Sequence, residues 1–497
     1  MYNHAKTTQK GRLTMITLEP RKTIKRNCSP NIFREYDIRG VVETEIPVTE
    51  TAGLTTAILT YFLQQNPTLN KIIIGADGRT HSPVIKKNII TTATDLGLDV
   101  VDIGLCPTPV FYFSLFNTGI SSGLMITASH NPGQYNGIKI CLNKKSVWGK
   151  QIQEIKNIYE KKSFYKNKNR KNGSISNYNS NSHYIQWLSN HFAHLKNLSI
   201  NAVIDCGNGA AGAVMPDLVK TMGWKNVKLL YEDIDGTFPN HEADPTTIKN
   251  MLDVRKLLTK DDAYTVGLGL DGDCDRMNPM TKSGYLVPGD QLLALYAKKI
   301  TKEFPKAPIV FDIKSSQALT QALESYGAVP CIAPSGHSII KEHMRLKNAK
   351  LAGELSCHFF FNDRYFGYDD GIYAALRLFE LLQESRLSLD EMLNTLPQKI
   401  SSPEYRIACA EEDKKNIVSH VKKTFTQYKQ ANLITIDGVR AQMPHGWGLI
   451  RASNTQPVIC LRFEADTTDE LIAIRTIFEK ALEPYFSKQQ LRIYFEE

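Results

Sequence analysis

Gly123-Leu-Met-Ile-Thr-Ala-Ser-His-Asn-Pro-Gly-Gln-Tyr-Asn-Gly-Ile-Lys-Ile140 is the stretch on which the reading of the 497-residue chain turns. Residues 123–127 read as a short buried strand and residues 137–142 as a second one. Between them Asn131, Pro132, Gly133 and Asn136 are turn formers that forbid regular structure. A hydroxyl and an imidazole, Ser129 and His130, therefore stand side by side where a buried strand ends. A serine on a loop usually makes only a local hydrogen bond, and for a lone Ser-His pair that plain reading is the better one.

The balance shifts at residues 264–276, Tyr-Thr-Val-Gly-Leu-Gly-Leu-Asp-Gly-Asp-Cys-Asp-Arg. An apolar strand runs straight into three carboxylates at alternate positions, Asp271, Asp273 and Asp275. Like charges so close repel unless a cation sits among them, and oxygen-only ligands suit a hard ion such as Mg²⁺. A solvated acidic turn would not be entered from an apolar strand. A calcium loop of the EF-hand type fails on spacing: its sixth position should be Gly and is Arg276, and its twelfth should be Glu and is Lys282.

Two further loops complete the pattern. Gly353-Glu-Leu-Ser-Cys-His358 places Glu354, Ser356 and His358 together after a short strand. Arg451-Ala-Ser-Asn-Thr455 sets a guanidinium beside two hydroxyls and an amide, Ser453, Thr455 and Asn454, which suits phosphate oxygens. With these four motifs in this order, the sequence resembles the alpha-D-phosphohexomutases, most closely their bacterial phosphomannomutase/phosphoglucomutase branch. The resemblance spans residues 32–465.

That resemblance implies a specific chemistry. The Thr-Ala-Ser-His-Asn-Pro serine, Ser129, would carry a phosphoryl group, and Asp271, Asp273 and Asp275 would hold Mg²⁺ beside it. Glu354, Ser356 and His358 would bind sugar hydroxyls, and Arg451, Ser453, Asn454 and Thr455 the phosphate that is not reacting. Arg39, Lys139 and Arg276 map onto basic groups of the same centre, and Tyr36, Lys314 and His337 onto its substrate-binding wall. The general acid and base stay open among His130, Lys139, His337 and His358. The implied activity interconverts the 1- and 6-phosphates of glucose and mannose through a hexose 1,6-bisphosphate, within carbohydrate metabolism and the supply of nucleotide-sugar precursors. Because Glu354 and Ser356 would grip hydroxyls common to both sugars, dual specificity is expected. Leu355 and Cys357 should disfavour an N-acetyl group.

Two positions depart from the family pattern. The middle of the metal loop, usually glycine or another small residue, is Cys274, which is accommodated if its φ is negative. Cys357 replaces the glycine of Gly-Glu-Met-Ser-Gly-His, so a left-handed backbone there would be strained. Neither removes a ligand; sugar preference is more exposed to them than activity.

Composition fits this reading. Hydrophobic content of 42% and charged content of 22% are those of an ordinary globular protein, too long for one core. No apolar run approaches membrane-spanning length, and none follows the basic N-terminus. The nine cysteines show no Cys-x-x-Cys pair, as expected of reduced thiols in a cytoplasm. The net charge of +9 is carried by two polar segments, residues 1–27 with seven Lys/Arg and one acid and residues 161–182 with six Lys/Arg and no acid, leaving the remainder mildly acidic. A nucleic-acid groove is therefore not the main reading, and no membrane partner is expected. Small-molecule sugar phosphates are the expected partners of a monomer.

The domain reading is α/β throughout: three tandem α/β domains with mixed sheets and a smaller α+β C-terminal domain around a central cleft. Residues 1–27 are expected to be a mobile basic tail, with Met15 a candidate alternative start. Residues 28–160 form domain 1, 161–182 an Asn/Lys-rich surface insertion, 183–285 domain 2, 286–397 domain 3 and 398–497 domain 4. Gly207, Gly209 and Gly212 spell Gly-x-Gly-x-x-Gly after a strand, with Glu232 and Asp233 at a dinucleotide-like distance. The four motifs explain the same glycines as a tight strand-to-helix turn. A sugar-phosphate phosphatase and a catalytically silent sugar-phosphate sensor are the remaining alternatives; a sensor needs no nucleophile.

Overall fold

The computed structural model describes residues 27–167, 171–453 and 457–495. The tail expected at residues 1–27 thus falls almost wholly outside the described residues.

One strand order occurs three times. Lys71–Ala76 lies between two parallel neighbours, Asp99–Leu105 and Gly123–Ile126, and Tyr135–Leu142 returns antiparallel beside the latter. Ala202–Asp205 lies likewise between Val227–Leu230 and Val266–Leu270, with Met277–Thr281 returning antiparallel. Pro308–Asp312 lies between Val329–Ala333 and Leu351–Gly353, with Phe359–Phe361 returning. The order is second, first, third, fourth in each unit. The third strand of each unit is buried at every residue, as a central strand covered on both faces must be. Every one of these third strands ends in a hairpin, and the three hairpins are the Ser129, Asp271 and Glu354 loops. The tandem relation, hard to prove from residue patterns, is plain in the topology.

Close packing fixes these strands in place. A Cβ on Gly267 would lie 2.3 Å from Val254 Cγ1, and one on Gly269 2.5 Å from Met251 Sδ. Side chains that begin and precede the helix Leu252–Lys260 thus rest directly on the strand that delivers the three aspartates.

The first sheet has seven strands because three more join it. Ile38–Val41 and Lys145–Ser146 pair antiparallel with Tyr135–Leu142, and Ile175–Asn177 pairs parallel with Asp99–Leu105. The Asn/Lys-rich stretch is therefore not loop throughout. Its strand has three exposed side chains, and an edge strand pairs through backbone alone, so composition gave no sign of it. Residues 168–170 of that stretch lie outside the described residues.

The fourth unit is a six-stranded antiparallel sheet with the helices Lys414–Thr426, Thr468–Leu482 and Lys488–Phe495. Its hairpin between Gly446–Ala452 and Val458–Ala465 carries Arg451 and Ser453. One apolar core runs from Ile73 to Leu396 through the first three units, whereas the fourth has a core of its own from Ile407 to Phe495. Ile313, Trp447 and Leu449 make a small apolar contact between the third unit and the fourth. Beside it the junction is polar. Arg440 Nη1 donates to the carbonyls of Ile313 and Ser315, both at 2.8 Å, and Gln317 N–H donates to Glu464 Oε1 at 2.8 Å. All nine cysteines are free, and among the described residues no helix is long and apolar enough to cross a membrane.

Candidate active site

Ser129 sits in its hairpin with φ +52°, in the left-handed region that L-residues seldom occupy. Four carbonyls show what holds it there. Arg79 Nη2 accepts nothing and donates to the carbonyls of Ser129 (2.7 Å) and Asn131 (2.6 Å), while Nη1 donates to those of Pro132 (2.8 Å) and Tyr135 (3.1 Å). Asp77 Oδ2 anchors the same guanidinium at Nε, 3.1 Å away. Sequence reasoning missed Arg79, although an Asp-Gly-Arg at the end of an apolar strand was a visible signal. Arg79→Lys keeps a charge for the buried Asp77 but loses the fork. Its expected cost is about 1–3 kcal/mol, read as a lower denaturation midpoint.

The second unit's hairpin meets the first. Ser129 Oγ donates to Asp271 Oδ2 at 2.9 Å and lies 3.2 Å from His130 Nδ1. Asp271, Asp273 and Asp275 are all fully buried, and one oxygen of each falls within 4.8 Å of the others. Burial, and then the Asp275 and Asp273 carboxylates, push Asp271 well above the usual carboxylate range. Burial would also raise Asp275, but Lys139, His358 and Arg276 outweigh it and hold Asp275 below that range. Lys139 Nζ lies 3.3 Å from Asp273 Oδ2 and is hydrogen-bonded to Asp275 Oδ2. Thr108 Oγ1 donates to Asp273 Oδ2 at 2.6 Å. Asp273 Oδ1 and Asp275 Oδ1 remain buried without a hydrogen-bond partner among the described residues. Two unpartnered carboxylate oxygens in an all-oxygen cluster fit a hard divalent cation.

The third unit adds imidazoles. Arg276 Nε donates to His358 Nε2 at 2.9 Å, and its backbone N–H to Asp271 Oδ1 at 3.1 Å. The His358 ring stacks on His337, with centroids 5.6 Å apart, and both rings turn Nδ1 to one carboxylate, Asp369, at 3.2 and 3.3 Å. Lys341 Nζ holds the other oxygen of Asp369 at 2.9 Å. Burial, and then Lys341, lower the His337 imidazole to about 4; burial, Arg276 and Arg39 keep His130 well below its ordinary value. Neither Asp369 nor Lys341 stood out in the sequence, because Asp369-Asp370 reads simply as the cap of the helix Gly371–Ser385. Asp370 does cap it, accepting from Tyr373 N–H at 2.8 Å.

Glu354 Oε1 accepts from Gly336 N–H at 2.7 Å, and Oε2 is buried without a hydrogen-bond partner among the described residues. Ser356 is partly exposed in the same hairpin. Tyr36 Oη donates to the Ser335 carbonyl at 2.5 Å, and its ring lies so close to Gly336, at φ +130°, that a Cβ there would meet Tyr36 Cζ at 2.2 Å. Arg39 Nη1 donates to Asn131 Oδ1 at 2.8 Å and its Nη2 binds Asp37. Lys314 lies 3.6 Å from Asp312 and 3.7 Å from Glu404; burial would lower its ammonium, but Glu404 and Asp312 raise it. From the fourth unit, Arg451 Nε donates to Asp437 Oδ2 at 3.0 Å, and Asp437 accepts from Ser335 N–H at 3.1 Å. Asp437, too, went unread in the sequence; it ties the Arg451 loop to the third unit. Ser453 is buried, and Asn454 and Thr455 lie outside the described residues.

Four successive stretches match models described as phosphoglucomutase/phosphomannomutase: alpha/beta/alpha domain I at residues 30–166, domain II at 182–284, domain III at 288–400 and the C-terminal domain at 404–481. The chain belongs to the phosphoglucomutase/phosphomannomutase family. A phosphomannomutase/phosphoglucomutase of Pseudomonas syringae pv. tomato is 39% identical over 451 residues, 91% of this chain and 95% of that protein. A phosphoglucomutase of Neisseria meningitidis serogroup A is 38% identical over 92% of this chain and 98% of its own. The solved structure of a phosphoglucomutase/phosphomannomutase family protein from Burkholderia thailandensis superposes with TM-score 0.83 at 33% identity, covering 92% and 98% of the two chains. The architecture expected of this family, mixed-sheet α/β units followed by a smaller α+β one, is the one observed.

The condition stated for Cys274 in the phosphoglucomutase/phosphomannomutase pattern is not met. Cys274 does not have a negative φ; it sits at +65°, and Cys357 at +66°. Both hairpins turn tightly enough to demand a left-handed residue, at a cost of order 1–3 kcal/mol each for a side chain with a Cβ. The surroundings hold them there: Gly371 N–H donates to the Cys274 carbonyl at 2.9 Å, and the Cys357 thiol donates to Asn278 Oδ1 at 3.2 Å. The glycine-rich turn also has its place, Gly207 at φ +55° leading into the short helix Ala210–Ala213 and then Met215–Met222.

Proposed function

We propose that this chain interconverts hexose 1-phosphates and hexose 6-phosphates, of glucose and of mannose, by passing a phosphoryl group through Ser129. The observation that carries this reading is the Ser129 hydroxyl on Asp271, 2.9 Å away, with Lys139 and Arg276 converging on the same carboxylate cluster. The relatives are named as mutases, which favours this reading over a phosphatase or a silent binding protein.

In the forward half, the bond from phosphorus to Ser129 Oγ breaks as the bond to the sugar hydroxyl oxygen forms, and the hydroxyl proton leaves to a neutral base. Serine then holds an alkoxide that takes up a proton. The hexose 1,6-bisphosphate turns over in the cleft and returns its other phosphoryl group by the same steps reversed. Positioning and charge, more than covalent assistance, set the rate of such a transfer. Asp271, Asp273 and Asp275, with the phosphorylated Ser129, would hold Mg²⁺. When bound, that ion supplies positive charge against the phosphoryl oxygens. Lys139, kept charged by its two carboxylates, acts as a fixed cation rather than a base. Burial leaves His130 and His337 neutral, the state a proton acceptor needs, and His130 Nδ1 stands 3.2 Å from the serine hydroxyl. His358 and His337, oriented by Asp369, face the sugar from the third unit. Tyr36 and Lys314 line the cleft, and Arg39 fixes Asn131 in the serine hairpin. Arg451 and Ser453, with Asn454 and Thr455, take the idle phosphate. The protein is read as a cytoplasmic monomer acting on sugar phosphates, with no membrane or nucleic-acid partner.

Incubation with glucose 1,6-bisphosphate followed by phosphopeptide mapping tests the reading. A label on Ser129 is expected, and a label elsewhere overturns it.

Specificity follows from which hydroxyls are gripped. Glu354 Oε2 is buried without a hydrogen-bond partner among the described residues, and the sugar hydroxyls it would meet are common to glucose and mannose. Glu354→Ala should therefore weaken turnover of both sugars together, by roughly 1–3 kcal/mol, while Ser129 phosphorylation survives. Parallel mutase assays with glucose 1-phosphate and mannose 1-phosphate check this; loss of one sugar alone would show that the hairpin reads position 2. Because the Cys357 thiol points away into the core at Asn278, an N-acetyl group would be opposed by Leu355 alone. N-acetylglucosamine 1-phosphate is accordingly expected to turn over more slowly than glucose 1-phosphate, and equal rates would refute a steric role for Leu355.

A further inference from the structure

A cavity of about 280 Å³ lies between the first and third units. It is lined by Phe116, Trp148, Phe366 and Tyr368 on its apolar side and by Lys144, Lys145, Lys341 and Arg345 on its basic side, against one acid, Glu342. Phe116 stacks on Phe366 with ring centroids 4.8 Å apart, and Lys144 Nζ stands 4.8 Å over the Phe116 ring. Phe366 keeps 36% of its surface exposed although it is apolar. Arg345 is satisfied by Glu342 at 2.6 Å, whereas Lys144 and Lys145 take part in no ion pair among the described residues. Ser338 also lines the cavity; it is only 2% exposed, and its Oγ has no hydrogen-bond partner among the described residues. A buried hydroxyl without a partner costs free energy that a ligand oxygen would recover.

We propose that this cavity binds a small ligand consisting of one aromatic ring bearing a phosphate. The ring lies against Phe366 and Trp148, and the phosphate accepts from Lys144, Lys145 and the Ser338 hydroxyl. The volume is near the lower end of small-ligand sites, which run from roughly 300 to 1,000 Å³, so it suits one ring and one anionic group and no more.

Such a ligand would also reach the chemistry. Lys341 forms a wall of the cavity with its ammonium 4.4 Å over the Tyr112 ring, and the same ammonium holds Asp369, on which His337 and His358 both turn. A phosphate in the cavity competes with Asp369 for Lys341 and so loosens both imidazoles. Occupancy then lowers kcat without excluding the sugar phosphate. This regulatory half rests on the mutase function proposed above; the binding half does not.

Trp148 makes the site observable in the full-length protein by intrinsic fluorescence. Phenyl phosphate is the probe and inorganic phosphate the control. Saturable quenching by phenyl phosphate is expected, absent in Trp148→Phe and at least about tenfold weaker for inorganic phosphate. The double variant Lys144→Glu, Lys145→Glu should weaken the probe by about tenfold or more while leaving basal turnover unchanged. Glucose 1-phosphate should not displace the probe, and the probe should lower kcat with KM nearly constant. No saturable quenching at millimolar phenyl phosphate overturns the site. So does a probe that glucose 1-phosphate displaces and the double variant still binds, since that places it in the sugar-phosphate cleft. Binding that meets the first criteria but leaves kcat untouched overturns the coupling through Lys341. A protein that binds the probe yet shows no mutase turnover refutes the mutase reading instead.

Discussion

Ser129→Ala should lose nearly all mutase turnover, roughly 10⁴- to 10⁶-fold in kcat, the scale on which removal of a covalent nucleophile is felt. The Oγ lies at the meeting point of two units, 2.9 Å from Asp271 and 3.2 Å from His130. Alanine removes the one atom that would carry the phosphoryl group and leaves the cation cluster and the sugar-binding hairpin in place. The hairpin itself should survive, because Arg79 holds it through backbone carbonyls rather than through the serine side chain. Calorimetry should accordingly find sugar-phosphate binding retained while intact-mass analysis finds the phosphoryl adduct gone. A variant that kept its adduct, or kept substantial turnover, would remove Ser129 from the centre of the mechanism.

Chelation of divalent cations should silence turnover by about 10² to 10⁴-fold, several kcal/mol of barrier, and added Mg²⁺ should restore it. Three buried carboxylates face Lys139 and Arg276, while Asp273 Oδ1 and Asp275 Oδ1 have no hydrogen-bond partner among the described residues. Burial and its two acidic neighbours raise Asp271 above the usual carboxylate range, the direction expected of like charges crowded together out of water. A bound cation relieves that repulsion, so Mg²⁺ should raise the denaturation midpoint of the wild type. Asp273→Asn, isosteric but uncharged, should abolish that rise along with most turnover. Full activity in excess chelator, or an equal thermal response to Mg²⁺ in the variant, would refute the metal assignment. The thermal arm needs no substrate, so it judges the site independently of the reaction.

Much of the site was legible because its chemistry is local. Asp271, Asp273 and Asp275 are at alternate positions after an apolar run, and Arg451 stands two residues from Ser453; such spacings need no fold to be seen. The supporting residues were not legible. Arg79 acts on carbonyls 50 or more residues away, Asp369 on two histidines in other elements, and Asp437 on Ser335 and Arg451 from different units. Each looks in sequence like an ordinary surface charge or a helix cap, since its partners are set by strand order rather than by neighbouring residues.

The sequence by itself determined the buried strands that enter the Ser129, Asp271 and Glu354 hairpins and the candidate side chains on them, because strand burial and turn chemistry depend on residues a few positions apart. What the tertiary structure alone decided was how those hairpins meet. Ser129 reaches Asp271 across 142 residues because the same second-first-third-fourth strand order puts both hairpins at equivalent sheet positions. It decided, too, that Ser129, Cys274 and Cys357 all adopt positive φ. A residue's intrinsic preference opposes that conformation, and only the hydrogen bonds and packing of the finished fold supply the few kcal/mol that hold it.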